Sequence, residues 1–357
     1  MRTRPALVPL TAFVLAAVTG CHSLGPGTIA RDRYDYSGSI SESWKRQMLL
    51  NIVKLRYLDP PIFVDVGQIV AGYTLETGLS AGASLPGEGN STVTLGGSAK
   101  YTDRPTITYV PLTGNKFVKS LMTPLSPEVV FSTIQSGYPA DGVLFAAVAS
   151  INGLRNQETS IAGVSPPDPE FLRVLTLLRS IQRSGAVALR VRQDSDKQRT
   201  VLLTLRTGNL ASGGTEETAE LRRLLRLDPE AREFNLVVGA TASTNTEIAV
   251  VTRSLLHQLQ TLASQVEVPA EDLTHGAATP GWESVPAGPE NSRQIEIRSS
   301  KAKPDHTSVA IAYRDHWFWI DDYDLKSKRV FAFMMMLFTL ADTGEKENLP
   351  LITIPAQ

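Results

Sequence analysis

The chain has 357 residues, 35 Lys+Arg against 36 Asp+Glu, and one cysteine. That length suffices for two ordinary domains, or for one domain with an extension. A net charge of -1 argues against a nucleic-acid binder, which needs a basic face to displace counterions, and the single cysteine excludes an intramolecular disulfide and thiolate-rich metal centres.

Arg2 and Arg4 precede an apolar stretch over 6–18, interrupted by Pro9 and Thr11, that ends in Val18-Thr19-Gly20-Cys21. A basic start, a short apolar run and small residues read as a secretory signal, because the run is too short for a membrane span. Those last four residues resemble a bacterial lipobox. The resemblance implies that 1–20 is removed and that Cys21 becomes the lipid-modified first residue. By the enterobacterial sorting rule, His22, standing where an aspartate would favour inner-membrane retention, tilts the address to the periplasmic face of the outer membrane. Acyl chains contribute about 0.8 kcal/mol per buried methylene, so several of them make a stable anchor. Losing Arg2 and Arg4 leaves 33 basic side chains of the 35, against 36 acidic ones, and no basic patch.

Residues 21–40 then read as a tether with Gly, Pro and Ser but no apolar period. Ser41 is positioned to cap a helix to about Leu58, with Trp44, Met48, Ile52 and Leu55 on one face, stopped by Asp59-Pro60-Pro61. After the strand-like stretch 69–110, 114–154 is punctuated helix, with Ser126-Pro127-Glu128 as a helix start and Gly137-Tyr138-Pro139 as a break before a second apolar helix. The loop 155–167 is the candidate domain boundary. Asp168-Pro169-Glu170 opens a helix to about Ser184, followed by strands at 186–193 and 200–206, a helix ending near Leu227 and a strand at 234–240. Thr244-Asn245-Thr246-Glu247 has capping-box spacing, and Ile248, Val251, Leu255, Leu259 and Leu262 then mark a helix. The Pro/Gly-rich segment 270–292 reads as a mobile loop. Strands at 293–299, 308–313 and 317–320, a helix from Leu325 to about Ala341 and a short strand at 351–354 complete the chain. The expected fold is α+β, with mixed and antiparallel sheets, packed helices and a long protruding amphipathic β-hairpin. The expected division is signal 1–20, tether 21–40, an N-terminal region 41–154 and a C-terminal α+β domain 168–357.

Within 69–110 the alternation is strict. Tyr73, Leu75, Leu79, Ala81, Val93, Leu95, Ala99 and Tyr101 share one parity, and Gly, Ser, Thr, Glu76 and Lys100 fill the other. Pro86-Gly87-Glu88-Gly89-Asn90 supplies the turn. A symmetric pairing puts Leu79 opposite Leu95 and Tyr73 opposite Tyr101, with Glu76 and Lys100 as a diagonal lumen pair. The stretch 73–83 matches the roughly 9–11 residues of a tilted transmembrane strand. Small polar residues on one side and apolar ones on the other suit a barrel wall. Two strands leave open edges in lipid, so this reading needs a ring with one hairpin per subunit, a homo-oligomer. By architecture alone this resembles the curli secretion channel, a pore-forming outer-membrane lipoprotein; no residue role is carried over. The alternative is an amphipathic hairpin on a soluble core, in a scaffold that meets other envelope proteins without forming a pore.

Asp321, Asp322 and Asp324 are weak candidates for a divalent cation, without the glycine or distal glutamate of an EF-hand loop. The preferred reading has Asp324 capping the helix at Leu325, and Trp317 and Trp319 packing into the core. None of the five histidines has a local metal spacing. No nucleophile elbow, phosphate loop or zincin motif occurs, so no enzyme activity and no cofactor are expected. Met334-Met335-Met336 reads as adaptable core. Arg104-Pro105-Thr106-Ile107-Thr108-Tyr109 with its continuation to Gly114, and the segment 317–328, look like stretches of uncharacterised bacterial lipoproteins. That resemblance implies a compartment and no mechanism.

Overall fold

A long helix and a pair of nested two-stranded sheets make the first of two units, which takes in 1–44 and 64–111; the second takes in 45–63 and 112–357. The computed structural model describes residues 24–70, 72–84, 92–160, 163–185, 187–193, 199–205, 214–285 and 293–341. The expected signal segment 1–20, Cys21, the turns expected at 86–90 and 194–198 and the strand expected at 351–354 lie outside the described residues.

Helix α1 spans Leu24–Arg56, 33 residues, and so begins well before Ser41. Its early turns carry no apolar stripe: Ile29 and Tyr34 face solvent. What the helix meets there is polar. Asp32 accepts a hydrogen bond from the Tyr73 hydroxyl, and Arg31 Nη2 donates to the Tyr101 hydroxyl at 3.5 Å. A search for apolar period misses a helix held by such contacts. In the same unit β1 (Phe63–Val70) pairs with β4 (Thr106–Leu112), and β2 (Tyr73–Ser84) with β3 (Thr92–Asp103).

In the second unit the last turns of α1 bury Met48, Leu49, Ile52 and Val53, close to the expected stripe. Three short helices follow: α2 (Asn115–Met122), α3 (Pro127–Gln135) and α4 (Ala140–Ala147). Ser126 caps α3, its Oγ accepting from Val129 N at 3.3 Å. The second apolar helix stops at Ala147 rather than near Leu154. Beyond it β5 (Val148–Ile151) and β6 (Leu154–Arg155) turn through Asn152 and Gly153, both at positive φ. The loop at 155–167 contains a small hairpin, β7 (Glu158–Ser160) with β8 (Gly163–Ser165).

Helix α5 (Pro169–Arg183) places Phe171, Val174, Leu175, Leu178 and Ile181 on a fully buried face, the 3.6-residue period its sequence carries. It packs on α4 and on α6 (Gly214–Leu224). Strands β9 (Val187–Gln193), β10 (Arg199–Leu205), β11 (Glu233–Val238) and β12 (Glu247–Thr252) complete a six-stranded sheet in the order β6-β5-β12-β11-β10-β9, parallel only between β11 and β12.

The stretch after the capping-box spacing is a strand, not the expected helix. Glu247 Oε2 does accept from the backbone of Ser243 and Thr244, at 2.8 and 3.3 Å, yet a strand follows. The β-branched Ile248, Val250 and Val251 favour the central sheet position. The helix, α7 (Leu255–Ala263), starts only after Ser254, whose Oγ caps His257 N at 3.2 Å.

The segment at 270–285 is also better held than its composition suggests. It contains α8 (Ala270–Thr274), and Thr279 N and Trp282 N donate to the carbonyls of Arg56 and Ser264 at 3.0 and 2.8 Å. The described chain closes with a three-stranded sheet, β13 (Arg298–Ser300), β15 (His316–Asp321) and β14 (Thr307–Tyr313), and helix α9 (Leu325–Ala341). Only Arg298 and Ser299 of the strand expected at 293–299 are strand. On β15 the core face is Phe318 and Ile320, while Trp317 and Trp319 lie half-exposed on the other face. The core packing expected of the two tryptophans falls instead to their neighbours on the opposite face of the strand. The molecule is a mixed α+β fold with antiparallel sheets and packed helices.

Candidate interaction surface

The β2–β3 ribbon collects most of the residues singled out by alternation. Its register pairs Tyr73 with Asp103, Leu75 with Tyr101, Glu76 with Lys100, Leu79 with Gly97, Ala81 with Leu95 and Ala83 with Val93. This is two residues away from the symmetric pairing expected from sequence. An even slip leaves every side chain on its original face, so hydrophobic alternation cannot distinguish the two registers. The observed one sets Glu76 directly across from Lys100, Oε2 to Nζ 3.9 Å, in place of a diagonal pair. Both side chains are solvated, so this contact contributes roughly 0–1 kcal/mol. It also makes Tyr73 and Tyr101 diagonal neighbours whose rings stack at 6.1 Å and 17°.

On the apolar face, Leu75 is 48% and Tyr101 46% exposed, and Ala99 is exposed too. Leu79, Ala81, Val93 and Leu95 are placed on the same face by the register, and Ala83 with them. The other face is made of small residues that fit across the ladder. Gly78 lies opposite Ser98 and Ser80 opposite Gly96; a Cβ at either glycine would stand 2.7 Å from the facing serine Oγ. Ser80 Oγ donates to Gly96 O at 3.2 Å. Among the described residues neither outer edge of this two-stranded sheet has a strand partner. Arg31 and Asp32, which meet the ribbon tyrosines, were missed by sequence reasoning. Asp32 lies 41 positions from Tyr73 and no local pattern links them.

The C-terminal acids are separated by their partners. Asp321 Oδ2 meets Arg298 Nη1 at 3.2 Å, and Asp322 Oδ1 meets Lys328 Nζ at 2.6 Å. Asp324 Oδ1 accepts from Ser327 N at 3.0 Å, the expected cap of α9. Burial pushes the Asp324 carboxyl up, but its bonds to the Ser327 hydroxyl and backbone outweigh that and hold it below the usual carboxylate range. Among the described residues no three His, Cys, Asp or Glu side chains converge on a metal-sized site.

Two buried arginines also escaped the sequence reading. Arg253 donates to the carbonyls of Phe145, at 3.0 Å, and Gln157, closing the C-terminal end of α4; burial lowers its pKa to about 10. Arg56 pairs with Glu283 across more than two hundred residues of chain. These tie helix ends and loops together.

No helix among the described residues is long and apolar enough to cross a membrane. No protein-family model matches the chain, and no curated protein or solved structure is measurably similar to it.

Proposed function

We propose that this chain is a lipid-anchored envelope scaffold, held by acylated Cys21 at the periplasmic face of the outer membrane, whose β2–β3 ribbon docks another envelope protein. The observation that carries this reading is a two-stranded sheet whose outer edges have no strand partner among the described residues, with a half-exposed apolar face. Two strands alone are marginal in water, and an open edge offers a row of backbone donors and acceptors to an incoming strand. Gly78, Ser80, Gly96 and Ser98 on the polar face leave room for close approach.

A second reading is self-assembly, in which ribbons of several subunits pair edge to edge and line a pore in an outer-membrane export or transport system. It is favoured by strand length: β2 and β3 are 12 residues each, enough for the roughly 9–11 of a tilted spanning strand. Leu75 then faces lipid, Tyr73 and Tyr101 lie at the interfacial end where Asp32 and Arg31 hold their hydroxyls, and Glu76 and Lys100 stand on the lumen side.

A photo-crosslinking residue placed at Thr77 or Ser98 in intact cells separates the readings. Adducts to a different envelope protein are expected for the scaffold. A ladder of self-adducts, with conductance of the purified protein in a bilayer, selects the pore. Absence of any adduct from a correctly localised chain rejects both. Globomycin sensitivity of processing, together with Cys21→Ser, tests the anchor separately.

A further inference from the structure

In the second unit, α4, α5 and α9 enclose an open groove of about 640 Å³. That volume falls within the roughly 300–1,000 Å³ typical of small-molecule sites. Its walls are hydrocarbon: Val143, Phe145, Leu172, Leu175, Val330 and Phe333. Three cations line it as well, Lys326 and Arg329 from the first turns of α9 and Arg293 from the segment before β13. Among the described residues none of the three has an ion pair or a hydrogen-bonded side-chain partner, and Arg293 Nε is buried with no hydrogen-bond partner. The one carboxylate on the rim, Asp141, is already engaged by Arg179 Nε at 3.7 Å. Uncompensated positive charge beside an apolar trough is complementary to a molecule that is anionic at one end and hydrocarbon along the rest. A buried donor without an acceptor costs stability unless a ligand supplies one.

We propose that this groove binds an anionic amphiphile, a single acyl chain ending in a carboxylate or a phosphate. The hydrocarbon lies along α4 and α5, and the headgroup is held by Lys326, Arg329 and Arg293. The proposal stands apart from the ribbon, since it draws only on the second unit.

The test is fluorescence titration of the full-length acylated chain, held in amphipol, with cis-parinaric acid and with the corresponding alcohol. Saturable one-to-one binding of the acid is expected. Gly142 lines the groove, and a Cβ there meets nothing within 4 Å, so the side chain of Gly142→Trp has an open start from which to reach into the groove. It is expected to weaken binding by about tenfold or more, with an unchanged unfolding midpoint. Lys326→Glu with Arg329→Glu is expected to weaken the acid by about tenfold and leave the alcohol unaffected. Displacement by oleate and by lysophosphatidate then identifies the headgroup, and tighter binding of either supports the site. No saturable binding, equal affinity for acid and alcohol, or binding indifferent to Gly142→Trp overturns the proposal.

Discussion

The ribbon and the six-stranded sheet are both strand-rich, and they differ in what covers them. In the sheet, β10 buries Leu202, Leu203 and Leu205, and β12 buries Ile248, Ala249 and Val250, so these central strands are shielded. In the ribbon, Leu75 and Tyr101 are about half exposed, and among the described residues each strand has a single strand neighbour. Similar backbone chemistry therefore serves two ends. Where helices and neighbouring strands supply the second layer, alternation builds a core; in the ribbon, where Arg31 and Asp32 of α1 meet the tyrosines at one end, the half-exposed face presents a surface that another molecule can complete.

Substitutions sharpen that contrast, because they should be costly in one region and nearly silent in the other. The largest effect is expected for Arg253→Ala. It leaves the buried Gln157 carbonyl without its donor, takes one of two donors from the Phe145 carbonyl, which keeps Asn156 Nδ2, and empties a buried site, so a loss of about 3 kcal/mol should appear as a lowered urea midpoint. Gly281→Ala comes next. A Cβ there collides with the Arg56 guanidinium and the Ser264 carbonyl, for a cost of about 1–3 kcal/mol in the same assay.

A pH effect of smaller size follows from His257. Burial, and then the Arg253 charge, push its imidazole below the ordinary 6.5, with Glu158 pulling weakly the other way. The unfolded chain therefore takes up a proton that the folded one refuses as pH falls through 6.5. Stability should drop on that acid side, and His257→Gln should make the decline shallower between about pH 7 and pH 5. The smallest effect on folding belongs to the ribbon. Leu75→Ser should change stability by less than about 0.5 kcal/mol, yet abolish cross-linking from Thr77. A large loss of stability would mean that Leu75 serves a core after all.

How much of this was legible in the sequence depends on range. The buried face of α5 was readable because Phe171, Val174, Leu175, Leu178 and Ile181 repeat locally at helical spacing. The faces of the ribbon were readable because parity is local, whereas its register was not, since an even slip preserves parity. Residues 248–262 misled because Ile248 and Val251 continue, by coincidence of spacing, the stripe that begins in earnest at Leu255. The start of α1 was hidden for the opposite reason: Arg31 and Asp32 act through tyrosines far along the chain. The groove was invisible, because Arg293 joins Lys326 and Arg329 only once α9 has folded back beside α4 and α5.

The most direct test of the ribbon as a docking element is amide hydrogen exchange over 73–84 and 92–103, measured on the purified chain and on isolated outer membranes. In the purified chain the outward amides of β2 and β3 should exchange rapidly, and in the membranes they should be protected by a partner strand. Equal exchange in the two preparations would contradict the account.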